Sequence, residues 1–127
     1  NAVKVAQFLR YHPKVEKVNY LGEYGDERNI EIWKEQCGGT GAMISFEIVG
    51  GEKEAFTLLN NLKLIKLAVS LGSTESLVQH PATMTHIGVD EEMKEVLGIN
   101  EKLVRLSVGV ENHEDLIADI AHSLSLI

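Results

Sequence analysis

Two residues carry the strongest hint of chemistry. Arg105 sits inside the short apolar run Leu103-Val104-Arg105-Leu106-Ser107-Val108. A guanidinium there is costly unless water or a negative group meets it. Its planar fork matches a carboxylate through two parallel hydrogen bonds, so anion recognition is one reading. A solvated arginine on an open sheet, paired with Glu47, is the other, and the residues leave both open. Ser70 stands two residues before Gly72, where a strand gives way to loop. Its hydroxyl and the free N–H groups of such a loop could assist an anion site. No base lies at a characteristic spacing and no Gly-x-Ser-x-Gly elbow is present, so Ser70 does not read as a nucleophile.

Other reactive side chains offer less. His80 and His86 flank Pro81-Ala82-Thr83-Met84-Thr85 with no Cys or Asp close by. That is a poor metal set, and satisfied or solvent-facing loop histidines are expected. Cys37 is the single cysteine, and no Cys–His arrangement supports catalysis. Cys37-Gly38-Gly39-Thr40-Gly41 lacks the spacing of a phosphate loop. Asp90-Glu91-Glu92 reads as helix N-terminal charge.

The elements that must position these groups follow from period and punctuation. Ala2, Val5, Ala6 and Leu9 recur at helical spacing, and His12-Pro13 stops that helix. VEKVNY over residues 15–20 reads as a strand, and residues 22–25 as a turn. Asp26 is expected to cap a helix to about Gln36, with Ile30 and Trp33 on its buried side. Over 42–49, Ile44, Phe46 and Ile48 point one way and Met43, Ser45 and Glu47 the other. A helix over 53–62 shows Ala55, Phe56, Leu59 and Leu62 as its stripe. Residues 67–71 read as a strand, Val78 as part of a brief one, and 81–89 as loop. Asp90 caps a short helix closed by Gly98. In the last strand, 103–109, Val104, Leu106 and Val108 share the helix-packed face, while Arg105 and Ser107 share the other. Asn112 and Asp115 open a final helix whose stripe is Leu116, Ile117, Ile120, Ala121 and Leu124. The fold class is α/β, of the α+β type: a small, mostly antiparallel sheet with helices on one face.

Composition bounds the function. The chain has 127 residues, 44% hydrophobic and 24% charged, and a net charge of −7. That suits one soluble domain with a real core and argues against nucleic acid, which calls for a basic face. No run of about 18 apolar residues predicts a membrane span. One cysteine and no signal peptide suit the cytoplasm. The chain opens at Asn1, directly on a helix at full amplitude, and is expected to be one domain, 1–127, of a longer protein.

SLGSTESLVQHPATMTH, followed after a short helix by LVRLSVGVENHEDLIADI, resembles the C-terminal domain of the Cys/Met-metabolism pyridoxal-phosphate enzymes. GTGAMISFEIVGG, NNLKLIKLAVSLG and NAVKVAQFLRYHPKVEKVNY resemble the same domain, so the likeness covers nearly the whole chain. It departs at Tyr20-Leu21-Gly22-Glu23, where Tyr-Pro-Gly-Leu is usual.

The resemblance implies a fold type I enzyme with a large cofactor domain absent from these 127 residues. Pyridoxal 5'-phosphate is bound by that large domain, through a Schiff-base lysine that lies outside this chain. No catalytic residue is therefore expected here, and the isolated segment is expected to be inactive. Arg105 would grip the α-carboxylate of the amino-acid substrate, with Ser70 beside it. Cystathionine-handling members often carry Glu before that serine. Val69 is more like methionine gamma-lyase or a sulfhydrylase. The full-length protein is then expected to be a carbon–sulfur lyase of sulfur amino-acid metabolism, a homodimer or homotetramer. Cystathionine gamma-synthase or lyase, O-acetylhomoserine sulfhydrylase, or a non-catalytic assembly module are the alternatives.

Overall fold

A computed structural model describes residues 1–22 and 27–127. Ten elements follow one another: α1 (Ala2–Tyr11), β1 (Val15–Tyr20), α2 (Glu27–Gln36), β2 (Met43–Ile48), α3 (Glu52–Asn61), β3 (Lys66–Leu67), β4 (Leu77–Gln79), α4 (Glu91–Val96), β5 (Leu103–Ser107) and α5 (His113–Leu124). The five strands form one sheet in the order β1-β2-β5-β4-β3. β1/β2, β2/β5 and β4/β5 are antiparallel, and only the edge pair β3/β4 is parallel. The expected mostly antiparallel α/β sheet is what forms.

Alternation decides which face is apolar. Ile44, Phe46 and Ile48 on β2 are buried beside Val104 and Leu106 on β5 and Val18 and Tyr20 on β1. Against them lie Val5, Ala6 and Leu9 of α1, Ala55, Leu58 and Leu59 of α3, and Leu116, Ile120 and Leu124 of α5. Each aliphatic side chain fully buried there stabilises the fold by about 1.5–3 kcal/mol. Tyr20 is almost fully buried, yet its hydroxyl is satisfied: it donates to the Gly41 carbonyl at 2.9 Å and meets Thr40 Oγ1 at 2.7 Å.

Caps and stops sit largely where expected. His12 adopts an extended conformation ahead of Pro13 and ends α1. Asp90 accepts from the Met93 N–H at 2.8 Å. Gly98 takes the left-handed conformation that closes α4. Asn112 caps α5 by accepting from the Glu114 N–H, one residue earlier than Asp115.

Four expectations need correction. Residues 67–71 do not form a strand: β3 is only Lys66–Leu67, and the chain then runs as loop to Ser76. The partner β4 is only three residues long and leaves no ladder for Val69 to Leu71 to join. The last strand stops at Ser107, not 109: Val108 N–H still bonds the Ala42 carbonyl at the sheet's end, but Val110 N–H turns to the Thr74 carbonyl. On α3, Leu58 replaces Phe56 in the core, and Phe56 turns outward against the edge of His80. Helix α2 buries no residue. Trp33 is half-exposed, spending its indole N–H on the Gly39 carbonyl at 3.0 Å and packing against Gly22 rather than the sheet. The expected turn at 22–25 and the Asp26 cap lie at or outside the edge of the described residues.

Candidate carboxylate-binding site

The sheet's second face carries a polar row. Register places Asn19 opposite Ser45, Ser45 opposite Arg105, and Arg105 opposite Gln79, so the four stand abreast on β1, β2, β5 and β4. Residues directly opposite in an antiparallel pair share a face, with Cβ atoms about 4.5–5.5 Å apart. Arg105 therefore points where alternation predicts, away from the helices.

What it meets is the Val69–Ser70 loop. Arg105 Nη2 donates to the Val69 carbonyl at 3.0 Å and to the Ser70 carbonyl at 3.2 Å. All three expected site residues are thus together, but through backbone oxygens; the Ser70 hydroxyl does not take the guanidinium. Arg105 Nε is buried without a partner. Glu47 pairs instead with Lys17 at 3.6 Å, and among the described residues no carboxylate pairs with Arg105. Partial burial lowers the Arg105 pKa from the ordinary arginine value, and no anion among the described residues offsets that cost. Val69 is 55% exposed, so its side chain adds nothing to this domain's core and is presented outward beside the guanidinium.

The loop is tied down at its far end as well. Gly72 N–H donates to Ser107 Oγ at 3.0 Å. Glu111 accepts from the Ser76 N–H at 2.6 Å and from the Ser76 hydroxyl at 2.8 Å. Ser76 Oγ in turn accepts from the Gly109 N–H, and Thr74 O from the Val110 N–H, both at 2.9 Å. β5 and the turn after it therefore fix residues 69–76 at Val69–Ser70, Gly72, Thr74 and Ser76. Ser107, Glu111 and Gln79 were not singled out by the sequence. Gln79 lies in a strand too short to show a period, and Ser76 and Glu111 meet only through tertiary structure.

Burial alone would raise the Glu111 carboxyl, but the hydrogen bonds from Ser76 N–H, its own N–H and the Ser76 hydroxyl outweigh it and its pKa is lowered. A carboxyl depressed in the folded state stabilises above its unfolded value, about 4.3 for glutamate, and loses that contribution as pH falls through the folded value. The melting temperature of wild type should therefore drop faster below pH 4.5 than that of Glu111→Gln. Parallel curves in a pH series of thermal melts would remove Glu111 from this account.

The remaining sequence candidates are structural. His80 is fully buried, with Nε2 at 2.9 Å from the Glu101 carbonyl and Nδ1 at 2.8 Å from Thr83 Oγ1. The carbonyl can only accept, so Nε2 donates to it. His86 meets Thr85 Oγ1 at 2.8 Å. Cys37 is exposed. Among the described residues no group of three or more His, Cys, Asp or Glu could hold a metal ion, and no helix is long and apolar enough to cross a membrane.

The donor set around Arg105 suits a small carboxylate. It does not suit pyridoxal phosphate, since the row Asn19–Ser45–Arg105–Gln79 offers no lysine for the aldehyde and no acid for the ring nitrogen.

Relatives carry the same segment. The chain is 55% identical, over all its residues, to L-methionine gamma-lyase of Fusobacterium nucleatum subsp. polymorphum, and 48% identical over 98% of its length to cystathionine gamma-lyase of Bos taurus. It spans only 32% and 30% of those proteins. A crystal structure of cystathionine gamma lyase from Micromonospora echinospora superposes with a TM-score of 0.90 at 38% identity, covering 98% of this chain and 32% of that one. The model of the Cys/Met metabolism PLP-dependent enzymes matches residues 1–125. Matched by that model over residues 1–125, the chain belongs to the Cys/Met metabolism PLP-dependent enzyme family.

Proposed function

We propose that these residues are the small C-terminal domain of a longer pyridoxal-phosphate-dependent carbon–sulfur lyase, most like methionine gamma-lyase, and that they bind the substrate α-carboxylate. The observation that carries this is Arg105: a charged, partly buried guanidinium on the face opposite the core helices α1, α3 and α5, answered among the described residues only by neutral carbonyls, with Nε unpartnered. A carboxylate arriving there gains charge-assisted hydrogen bonds that none of the described residues supplies.

Arg105 binds the carboxylate, and the Val69–Ser70 backbone sets the guanidinium's position. Fixing the carboxylate fixes the orientation of the bonds at Cα, which selects the bond that breaks. When bound, pyridoxal phosphate supplies the electron sink for that chemistry. The lysine that holds it belongs to the large domain in this reading, so none of these residues is catalytic. Val69 leaves an apolar wall beside the site, suited to the uncharged side chain of methionine. The whole enzyme is then a cytoplasmic homodimer or homotetramer of sulfur amino-acid metabolism.

A cystathionine gamma-lyase is the second reading, favoured by the cystathionine gamma-lyase of Bos taurus at 48% identity. Assays of the full-length protein for 2-oxo acid release separate the two. The lyase reading expects a higher kcat/KM for methionine than for cystathionine. The reverse preference favours the second reading, and no release from either, with no pyridoxal absorbance, leaves a non-catalytic assembly module.

A further inference from the structure

We propose that Gln79 is a positioning residue for Arg105, taking its Nε–H so that the remaining guanidinium edge is presented to the carboxylate. This rests on the carboxylate-binding reading of Arg105. Gln79 is 1% exposed and stands directly opposite Arg105 across the β4/β5 pair. Its Nε2 donates to Thr85 Oγ1 at 3.2 Å, and Thr85 Oγ1 lies 2.8 Å from His86 Nδ1. The amide nitrogen end is therefore occupied, and Oε1 is left as the free end of the side chain. Gln79 Oε1 and Arg105 Nε are both buried and both without a partner.

An orphaned acceptor and an orphaned donor on abreast residues of neighbouring strands are complementary, and one contact satisfies both. The guanidinium has a reason to reach it. Arg105 Nη2 donates to the Val69 and Ser70 carbonyls. A carboxylate competes for that edge, and as the guanidinium turns to meet it, Nε comes to Gln79 Oε1. Asn19 Oδ1 is the other unpartnered acceptor of the row, but it lies two strands from Arg105, with Ser45 between them. The glutamine thus fixes the plane of the fork without touching substrate. Side-chain fixation of this kind governs binding geometry more than the chemical step.

The test is a double-mutant cycle in the full-length enzyme, read as KM and kcat for the amino-acid substrate. Gln79→Met keeps the volume and removes the amide. It is expected to raise KM by about tenfold with kcat within about twofold of wild type. In an Arg105→Ala background the same substitution should change KM by less than about twofold, because its target is gone. A merely structural glutamine would act equally in both backgrounds, and that result, or an unchanged KM for Gln79→Met alone, overturns the proposal. If Gln79→Met does not fold, Gln79→Ala carries the same expectations. A large effect of Arg105→Ala with none from Gln79→Met overturns only this inference. No effect of Arg105→Ala overturns the carboxylate reading and this inference with it.

Discussion

Replacing Arg105 by alanine in the full-length protein raises KM for the amino-acid substrate by about 10- to 150-fold, the equivalent of about 1.5–3 kcal/mol for a lost charge-assisted pair. The effect falls mainly on KM, because the carboxylate is gripped in ground state and transition state alike. Part of it also reaches kcat, since the carboxylate sets the Cα geometry. Arg105→Lys recovers little: an ammonium can reach one carbonyl or one carboxylate oxygen but cannot reproduce the fork. Steady-state kinetics on the three proteins decide the matter. An alanine variant with wild-type KM and kcat would sink the assignment. Removing Arg105 also releases the Val69 and Ser70 carbonyls, so a companion substrate lacking the carboxylate serves as a control. Its turnover should be changed far less by the mutation.

Gly109→Ala produces the second large effect, this time on the fold. A Cβ on Gly109 would run into the Thr74 carbonyl oxygen and approach the Glu75 carbonyl carbon to 2.7 Å. Both obstacles are backbone, so no side-chain rotation relieves them. The turn after β5 and the loop 72–76 would have to separate, which breaks the Gly109 N–H to Ser76 bond and the Val110 N–H to Thr74 bond. Overpacking of this kind costs about 3 kcal/mol, which lowers the melting temperature by on the order of 10 °C for a domain of this size. Gly72→Ala is a useful comparison, because no atom lies within 4 Å of its added Cβ; its cost comes from the positive φ alone. Equal melting temperatures for wild type and Gly109→Ala would show that loop 72–76 yields freely. The same substitution should raise KM, because the loop it displaces continues into Val69 and Ser70.

How much of this was legible beforehand divides by the kind of signal. Period-2 alternation placed Ile44, Phe46 and Ile48 inward and Arg105 outward without reference to any partner, because a strand's geometry leaves only two faces. Helices α1 and α5 were equally plain, with apolar residues recurring at 3–4 spacing. Trp33 misled because an aromatic at helical spacing invites a core assignment, and nothing local reveals that its indole N–H is taken by the loop after the helix. Residues 67–71 misled for a related reason: Leu67, Val69 and Leu71 alternate like a strand, yet all three are exposed. A strand needs a neighbour as long as itself, and β4 offers three residues. Arg105 and Ser70 could be paired only through the family resemblance, since 35 residues separate them. Gln79 and Glu111 gave no sign at all. Each is an ordinary polar residue whose importance comes from what tertiary packing sets beside it.

The sheet order has a consequence for how the domain is made. β5 is the last strand in sequence but the middle strand in space, hydrogen-bonded to β2 on one side and β4 on the other. Until residues 103–107 are available, β1/β2 and β3/β4 are two separate ribbons, each with a bare edge and half a core. During synthesis from the N-terminus, the edge of Met43–Ile48 that pairs with β5 has no partner until residues 103–107 emerge. Val104 and Leu106 join the two ribbons through contacts distant in sequence, the kind that slows folding. The strand that completes the structure is also the one that carries Arg105. A nascent chain therefore acquires the anchor for substrate at the same moment as its stability, and not before.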